Sequence, residues 1–509
     1  MKISEYEFNF PRGAEEEVKG KSLIAGYLGI VMMLAGAVTL LPLLTLVFYP
    51  GESDQAVYFV IPGVGSILAG YLFSFILRGR KKGDLDKSQK MTLVTGTWLI
   101  VAGVACVPFV LSGKYTVSQA VFESISGLST TGLSVVDTAA ASHIILIHRT
   151  VLSLFGGVGL VLILNTAITD AYGIKHNHTV GQSGRMLQNL RESARLIGGI
   201  YGGYIVTGVV LYVTFGMSIF DAVNHSVAAV TTGGFSTHPE SMGYYHSLPV
   251  EMITIVLMIL GSTGFFIQLL LIRGKFRDVI LNSEIRLAFF LLAGSVLLIT
   301  VLARKELYGS IPESFRIALF QAVSALSTTG FRTVGSFYSL PPPVIFILIL
   351  LMLTGGGAGS MAGGLKIYRV CVMVKEMKWE ISRYLNTNRI IMMEQINRRG
   401  KREQLTEQDK REVNVFLIFY LMIFAAGTFV LSCFGYSVQN SMFEFASALS
   451  NAGFSVGITS YEASPVIHWT ASAGMLFGRL ELYVLFMVIA RFISDGKEAV
   501  INSWRWKKV

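Results

Sequence analysis

Charged side chains are scarce in this sequence, 15% of 509 residues against 52% hydrophobic, and that balance excludes a string of soluble domains of the same length. The chain reads as a polytopic membrane protein. Cysteine is nearly absent. Cys106, Cys371 and Cys433 are odd in number, far apart and set in apolar runs, which excludes a disulfide framework or a metal knuckle and leaves packing roles. No HExxH, GxSxG or carboxylate pair stands within the apolar spans, so a membrane-embedded enzyme is only a remote alternative, and a scaffold is as remote because it leaves the fourfold segment described below unexplained. No cleavable signal is found in MKISEYEFNFPRGAEEEVKGK, which lacks a short apolar core and a small-residue cleavage site, and the first span is expected to stay in the mature protein.

What is abundant is apolar sequence in lengths of about 20 residues, enough to cross a bilayer as helix. Such runs fall near 22–49, 57–78, 91–112, 150–170, 197–217, 250–272, 287–303, 343–376, 413–433 and 468–494. Between them a short segment recurs four times: AVFESISGLSTTG ending at Gly132, AVNHSVAAVTTGG at Gly234, ALFQAVSALSTTG at Gly330 and SMFEFASALSNAG at Gly453. Their spacing, roughly a hundred residues, exceeds that of stacked-repeat families, so each copy belongs to a larger unit of the fold. The pattern is span, short segment, span, four times over, after two extra N-terminal spans. The predicted fold is all-α, with pseudo-fourfold symmetry about a central pore. The expected units are an N-terminal two-span region at 1–85, pore repeats at 86–172, 173–276 and 277–377, a cytoplasmic loop with the fourth repeat at 378–495, and a tail at 496–509.

The net charge of +10 does not point to nucleic acid, because the basic residues gather in particular loops between spans. Arg78, Arg80, Lys81, Lys82, Lys87 and Lys90 lie in one; Lys175, Arg185, Arg191 and Arg195 in another. Arg273, Lys275, Arg277 and Arg286 form a third, and the longest loop runs from Lys378 through Arg383, Arg389, Arg398, Arg399, Lys401, Arg402 and Lys410 to Arg411. The positive-inside bias puts these loops, and both termini, in the cytoplasm of a cell whose plasma (inner) membrane holds the protein. The glycine segments then open outward.

Each segment reads as a half-span helix followed by an irregular turn, since Thr-Thr-Gly disfavours continued helix. Such a helix aims its C-terminal end, equivalent to about half a negative charge, at the axis. Four such ends favour a cation. Carbonyls of Thr130, Thr131 and Gly132, of Thr232, Gly233 and Gly234, of Thr328, Thr329 and Gly330, and of Asn451, Ala452 and Gly453 are the candidate ion ligands, replacing water oxygens. Glycine suits backbone angles that a Cβ forbids. No Asp or Glu stands in these tripeptides, and a neutral carbonyl ring suits a large, weakly hydrated monovalent ion such as K⁺ rather than a divalent ion. Glu123, His225, Gln321 and Glu444 occupy matching positions before the turn. The two acids either hold the pore helices through hydrogen bonds or add field at the vestibule. Because Asn451-Ala452 replaces Thr-Thr and Gly233 adds a flexible residue, the ring is expected to be uneven and less selective than four identical chains would build.

Four span, pore-helix, span units with one filter glycine each resemble the Trk/Ktr/HKT superfamily of potassium transporters, and the two extra N-terminal spans resemble its TrkH and TrkG branch. The resemblance covers essentially the whole chain. It implies K⁺ uptake through a pore within each subunit, a homodimer, and a TrkA-like cytoplasmic nucleotide-binding regulatory ring. A serine at the first filter position accompanies Na⁺ transport in plant relatives, so Gly132 implies K⁺. No covalently bound cofactor is implied. An ion-coupled K⁺ or Na⁺ symporter on the same scaffold is the alternative.

The run near 343–376 is too long for one crossing and is interrupted at Gly355, Gly356, Gly357, Gly359, Ser360, Gly363, Gly364 and Lys366. So much glycine is incompatible with ordinary helix, at about 1 kcal/mol each relative to alanine, and a broken helix at membrane depth marks a cavity or moving part. Gly359 and Gly364 have P-loop spacing, but Leu365 precedes Lys366 and Ile367 follows it, so a phosphate site is excluded. The stretch resembles the family's intramembrane loop, which obstructs the cytoplasmic half of the pore. Lys366 either helps close this gate, as the resemblance implies, or snorkels to the cytoplasm. Arg479 lies deep in the last span and is expected to face the interior. The resemblance places it beneath the filter as an electrostatic barrier; the other reading is a tie to backbone carbonyls. Glu481 is two residues along and off its helical face. His176 and His178 are too few for a metal site. Gly156, Gly157 and Gly159, with Gly261 and Gly264, suit close packing beside the pore rather than a dinucleotide. The loop from Lys378 to Arg411 is either a solvated connection or a docking surface, and about 35 residues is long for a mere connector.

Overall fold

A computed structural model of the chain describes residues 17–18, 20–77, 81–82, 85–159, 190–306, 310–385, 395–398 and 401–480. Arg78, Arg80, Lys175, His176, His178, Arg185, Arg389, Arg399, Glu481 and the C-terminal tail lie outside the described residues. Helices α1 (Gly20–Leu40) and α2 (Ala56–Ser74) form the N-terminal pair. Their backbones approach closely at Gly29 and Gly70 and at Gly36 and Gly63, where an added Cβ would meet the facing chain's backbone or side chain within 2.8 Å. Small residues make this contact because two helices in lipid gain mainly from van der Waals packing.

The four units follow. The first has α3 (Lys87–Leu111), the short helix α4 (Val117–Leu128) and α5 (His143–Leu154). The second has α6 (Leu190–Thr214), α7 (Ile219–Val230), α8 (Leu248–Ser262) and α9 (Phe265–Ile272). After α10 (Phe276–Leu281), the third has α11 (Ser283–Glu306), α12 (Ile311–Leu326), α13 (Pro342–Thr354) and α14 (Ile367–Leu385). The fourth has α15 (Glu407–Ser432), α16 (Val438–Ser450) and α17 (Pro465–Arg479). Helices α4, α7, α12 and α16 are the four half-span helices and are buried along most of their length. The first helix of each unit instead exposes large apolar side chains, such as Leu99, Val206, Phe290 and Phe429, a surface suited to lipid.

Short helices need defined starts, and these have them. Thr116 and Gln119 form a capping box at α4, Ser218 accepts from the Asp221 amide at α7 and Ser437 from the Asn440 amide at α16. Ser310, before α12, makes no side-chain cap bond. Among the described residues six helices are long and apolar enough to cross a membrane, or seven if one bent pair counts as a span.

One expectation needs correcting. The run 250–272 is not one straight span: α8 and α9 meet at 114° across a break at Thr263 and Gly264. In the longest polar loop, α14 continues to Leu385 and α15 begins at Glu407. Between them the described residues include a hairpin of β1 (Gln395–Arg398) and β2 (Lys401–Gln404), paired antiparallel. Ile396 and Leu405 pack with Cys371, Val372 and Val413, between α14 and α15.

The caps give a direct contrast. Thr116→Ala should lower stability by about 1 kcal/mol, whereas Ser310→Ala should change it by less than roughly 0.5 kcal/mol. Thermal unfolding of the two variants in detergent checks this, and equal losses would contradict it.

Candidate functional site: a fourfold ring and the loop beneath it

The four half-span helices end in the same way. Amides of Thr131, Gly233, Thr329 and Ala452 donate back to Ser126, Ala228, Ser324 and Ser447 at 2.9, 2.8, 3.0 and 2.8 Å. The preceding residue donates to the carbonyl three back, as Thr130 does to Gly127 at 3.0 Å. This is the Schellman ending, which satisfies carbonyls that the helix leaves orphaned. It requires a left-handed residue, and Thr130, Thr232, Thr328 and Asn451 take φ values of 56°, 54°, 53° and 55°. Three of these are β-branched, for which the conformation is unusual. Asn451 is better suited to it, so the fourth copy keeps the common geometry with an easier residue. Gly233 takes the same hydrogen bond as its counterparts, and its extra freedom is not used.

The next glycines close a ring. Gly132, Gly234, Gly330 and Gly453 have φ of 88°, 61°, 87° and 81°. A Cβ on Gly132 would stand 2.5 Å from the Gly233 carbonyl oxygen. One on Gly234 would overlap the carbonyl oxygen of Thr329, one on Gly330 that of Ala452, and one on Gly453 that of Thr131. The order runs first to second, second to third, third to fourth and fourth back to first. Each glycine lets the next copy's carbonyl approach its α-carbon, and all twelve candidate ligand residues belong to the four segments of this ring. Two hydroxyls, Thr130 Oγ1 and Thr232 Oγ1, are buried without a hydrogen-bond partner.

The matched positions before the turn all tie the helix to the chain leaving the ring. Glu123 accepts from Ser134 Oγ at 2.8 Å and the Val135 amide at 3.0 Å. His225 meets Ser236 Oγ at 3.0 Å, and Gln321 donates to Thr333 Oγ1 at 3.1 Å. Glu444 accepts from Ser455 Oγ at 2.7 Å, the Val456 amide at 2.8 Å, and the Thr459 amide and hydroxyl at 3.0 and 2.5 Å. The hydrogen-bonding reading is thus realised at all four. Glu123 also pairs with Arg149 Nε at 2.9 Å, and both side chains are almost wholly buried. Arg149 lies 4.2 Å over the Phe235 ring, next to Gly234. The sequence reading passed over Arg149, although a cation inside HIILIHRTVLSL is itself a signal.

The glycine-rich stretch is a compact loop between α13 and α14. Its neck is closed by Leu365 N to Leu353 O and Ile367 N to Gly356 O, both 2.9 Å. Gly355 and Gly364 meet there with φ of 72° and 76°, and a Cβ on Gly364 would stand 2.6 Å from the Gly355 α-carbon. The bend in the second unit clasps the loop: Gly357 donates to Ser262 O at 2.9 Å and Phe265 to Gly359 O at 3.2 Å. Ser360 Oγ donates to Gly357 O at 2.7 Å. Gly363 N donates to Thr328 Oγ1 at 2.7 Å, and a Cβ on Gly363 would overlap the Ser450 carbonyl oxygen. The loop therefore lies against the C-terminal ends of α12 and α16.

The two cations point into it. Lys366, itself left-handed at φ 74°, turns its ammonium back to the Ala362 carbonyl instead of away from the loop. Arg479 donates to the Met361 carbonyl of the loop and, at 3.3 Å, to Gly156 O in the π-helical turn Phe155–Gly159. The tie to backbone carbonyls is thus present. Gly156, Gly261 and Gly478 each leave no room for a Cβ beside a carbonyl in the last turn of their own unit's half-span helix, Leu128, Val230 and Leu449, which is the close packing expected of the first two. Glu284, also passed over, accepts the Ala358 amide at 2.9 Å; as a lone acid after a polar loop, it carried no signal of this contact.

Four half-span helices ending at a closed backbone ring, inside a bundle of apolar helices, define a membrane protein built to pass an ion. The chain matches the TrkH family model, described as a cation transport protein, over residues 62–497. It belongs to that family. It is 28% identical over 483 residues to the Trk system potassium uptake protein TrkH of Salmonella typhimurium, covering 91% of this chain and 97% of that protein. It is 26% identical over 484 residues to TrkG of Escherichia coli, covering 91% and 96%. The crystal structure of the potassium transporter TrkH from Vibrio parahaemolyticus superposes with a TM-score of 0.82 at 27% identity, covering 92% of this chain and 98% of that one. The family is one of transporters, not enzymes.

Removing one partner of a buried ion pair strands the other. Arg149→Met should cost about 3–5 kcal/mol, and the double variant Glu123→Gln/Arg149→Met distinctly less. A double-mutant cycle in thermal unfolding checks it, and simple additivity would contradict the pairing.

Proposed function

We propose that this chain is the K⁺-translocating subunit of an uptake system. K⁺ passes through the backbone ring of Thr130 to Gly132, Thr232 to Gly234, Thr328 to Gly330 and Asn451 to Gly453. The observation that carries this reading is the cyclic packing of the four glycines, which brings carbonyl-bearing segments from all four repeats into one closed ring. Taking a bare cation out of water costs tens of kcal/mol unless other oxygens replace the hydration shell. Neutral carbonyls with no acid among them favour a weakly hydrated monovalent ion. The orphaned hydroxyls of Thr130 and Thr232 add two oxygens at the helix ends, and the potassium uptake proteins to which the chain is similar support the choice of K⁺.

Opening is controlled by the loop from Gly355 to Lys366, held shut through Thr328, Arg479 and the bend at Gly264. The charge of Arg479 adds a barrier to cations there. Control comes from a TrkA-like nucleotide-binding ring docked on the basic cytoplasmic side, which holds both termini. The working unit is a homodimer in the inner membrane. Flow is down the electrochemical gradient; reversal potentials measured in varied Na⁺, K⁺ and pH distinguish this from coupled symport.

Gly132→Ser or Gly330→Ser should lower K⁺ over Na⁺ preference in reconstituted flux; unchanged selectivity would overturn the filter assignment. A variant shortened within Gly355 to Gly364 should raise ⁸⁶Rb⁺ flux without the regulator. No rise would remove the gate.

A further inference from the structure

The loop has a second attachment, on the side away from the ring. Ala358, on the loop's bend, donates its amide to Glu284 Oε2 at 2.9 Å. Glu284 stands in the first turn of α11 and is 5% exposed. Its other oxygen, Oε1, lies 3.7 Å from Arg398 Nε of the cytoplasmic hairpin. One carboxylate therefore faces the loop backbone with one oxygen and the hairpin with the other.

The hairpin is seated around this point by several contacts. Asn397 N donates to Ser283 Oγ at 3.2 Å, beside Glu284. Lys375 Nζ donates to Gln395 O at 2.9 Å, and Arg398 lies 4.1 Å over the Tyr368 ring. Tyr368 and Lys375 belong to α14, the helix that begins where the loop ends. The hairpin thus grips both the loop's downstream helix and, through Glu284, its bend. A displaced hairpin takes Arg398 from the carboxylate and loosens both.

We propose that Glu284 is a positioning residue that couples the cytoplasmic hairpin 395–404 to the intramembrane loop, so that the seated hairpin holds the loop in place and its withdrawal releases it. This rests on the loop acting as the gate. Glutamine at 284 keeps the shape and an acceptor for Ala358 but removes the charge that holds Arg398. Breaking the contact from either side has the same consequence.

The test is ⁸⁶Rb⁺ flux into proteoliposomes of the full chain without a regulator. Glu284→Gln and Arg398→Gln should each raise flux by roughly two- to thirty-fold, the range of a coupling contact, and the double variant no more than the larger single. Arg398→Lys, which keeps a positive charge on the hairpin and leaves the Glu284 acceptor for Ala358 intact, should hold flux nearer the parent value than Arg398→Gln, a difference that a merely structural role of the arginine would not produce. Glu380→Gln, which breaks only the exposed pair with Arg383 at 3.0 Å, should leave flux unchanged. If Glu284→Gln fails to fold, Arg398→Gln decides alone. A loop-shortened variant that raises flux while Arg398→Gln stays silent overturns the coupling and leaves the gate standing. A loop-shortened variant that fails to raise flux overturns the gate itself.

Discussion

Backbone that leaves the helix inside a membrane has no water to turn to, so each freed amide and carbonyl must find a partner in protein. The structure is organised around that constraint. The half-span helices end inside the helical bundle and need the Schellman bonds from Thr131, Gly233, Thr329 and Ala452. The extended chain beyond them needs the side chains at 123, 225, 321 and 444. The loop between α13 and α14 needs Ser262, Thr328, Glu284 and Arg479. Polar side chains are expensive in lipid-facing positions, which is why so many of those present are spent on irregular backbone.

The same constraint explains how a ring with unequal sequences keeps one geometry. Glu123 and Glu444 accept hydrogen bonds where Gln321 donates one, so chemical identity varies while the connection does not. Charge is the exception. Glu123 has a guanidinium beside it, whereas the donors to Glu444 are hydroxyls and amides. The uneven ring expected from Asn451 and Gly233 is thus even in its backbone and uneven in the electrostatics behind it.

Much of this was legible in the sequence because repetition is an internal alignment. Four copies of one segment identified the glycines that pack into the ring, and the density of glycine after Thr354 identified the loop. The left-handed Thr130, Thr232 and Thr328 were not legible, because β-branched residues seldom adopt that conformation and nothing local announces it. The 114° bend at Gly264 was hidden in continuous apolar sequence, since hydropathy reports burial in lipid and not helix direction. The hairpin had four-residue strands with too few apolar positions to show a period. Arg398 and Glu284 are more than a hundred residues apart, a pairing that no single sequence reveals.

The second helices of the units carry the last step. One ends in a π-helical turn at Phe155–Gly159, one bends at Gly264 and one opens into the loop. These departures meet one another: Arg479 bridges the π turn and the loop, and the bend clasps the loop by two backbone bonds. A loop inserted into one unit would leave its backbone unsatisfied in a bundle of straight helices. Irregularity in the neighbouring units supplies the missing partners, so the loop is a property of the assembled ring. Any motion of the loop must then exchange bonds with three units, and that makes two discrete arrangements more plausible physically than a continuous drift.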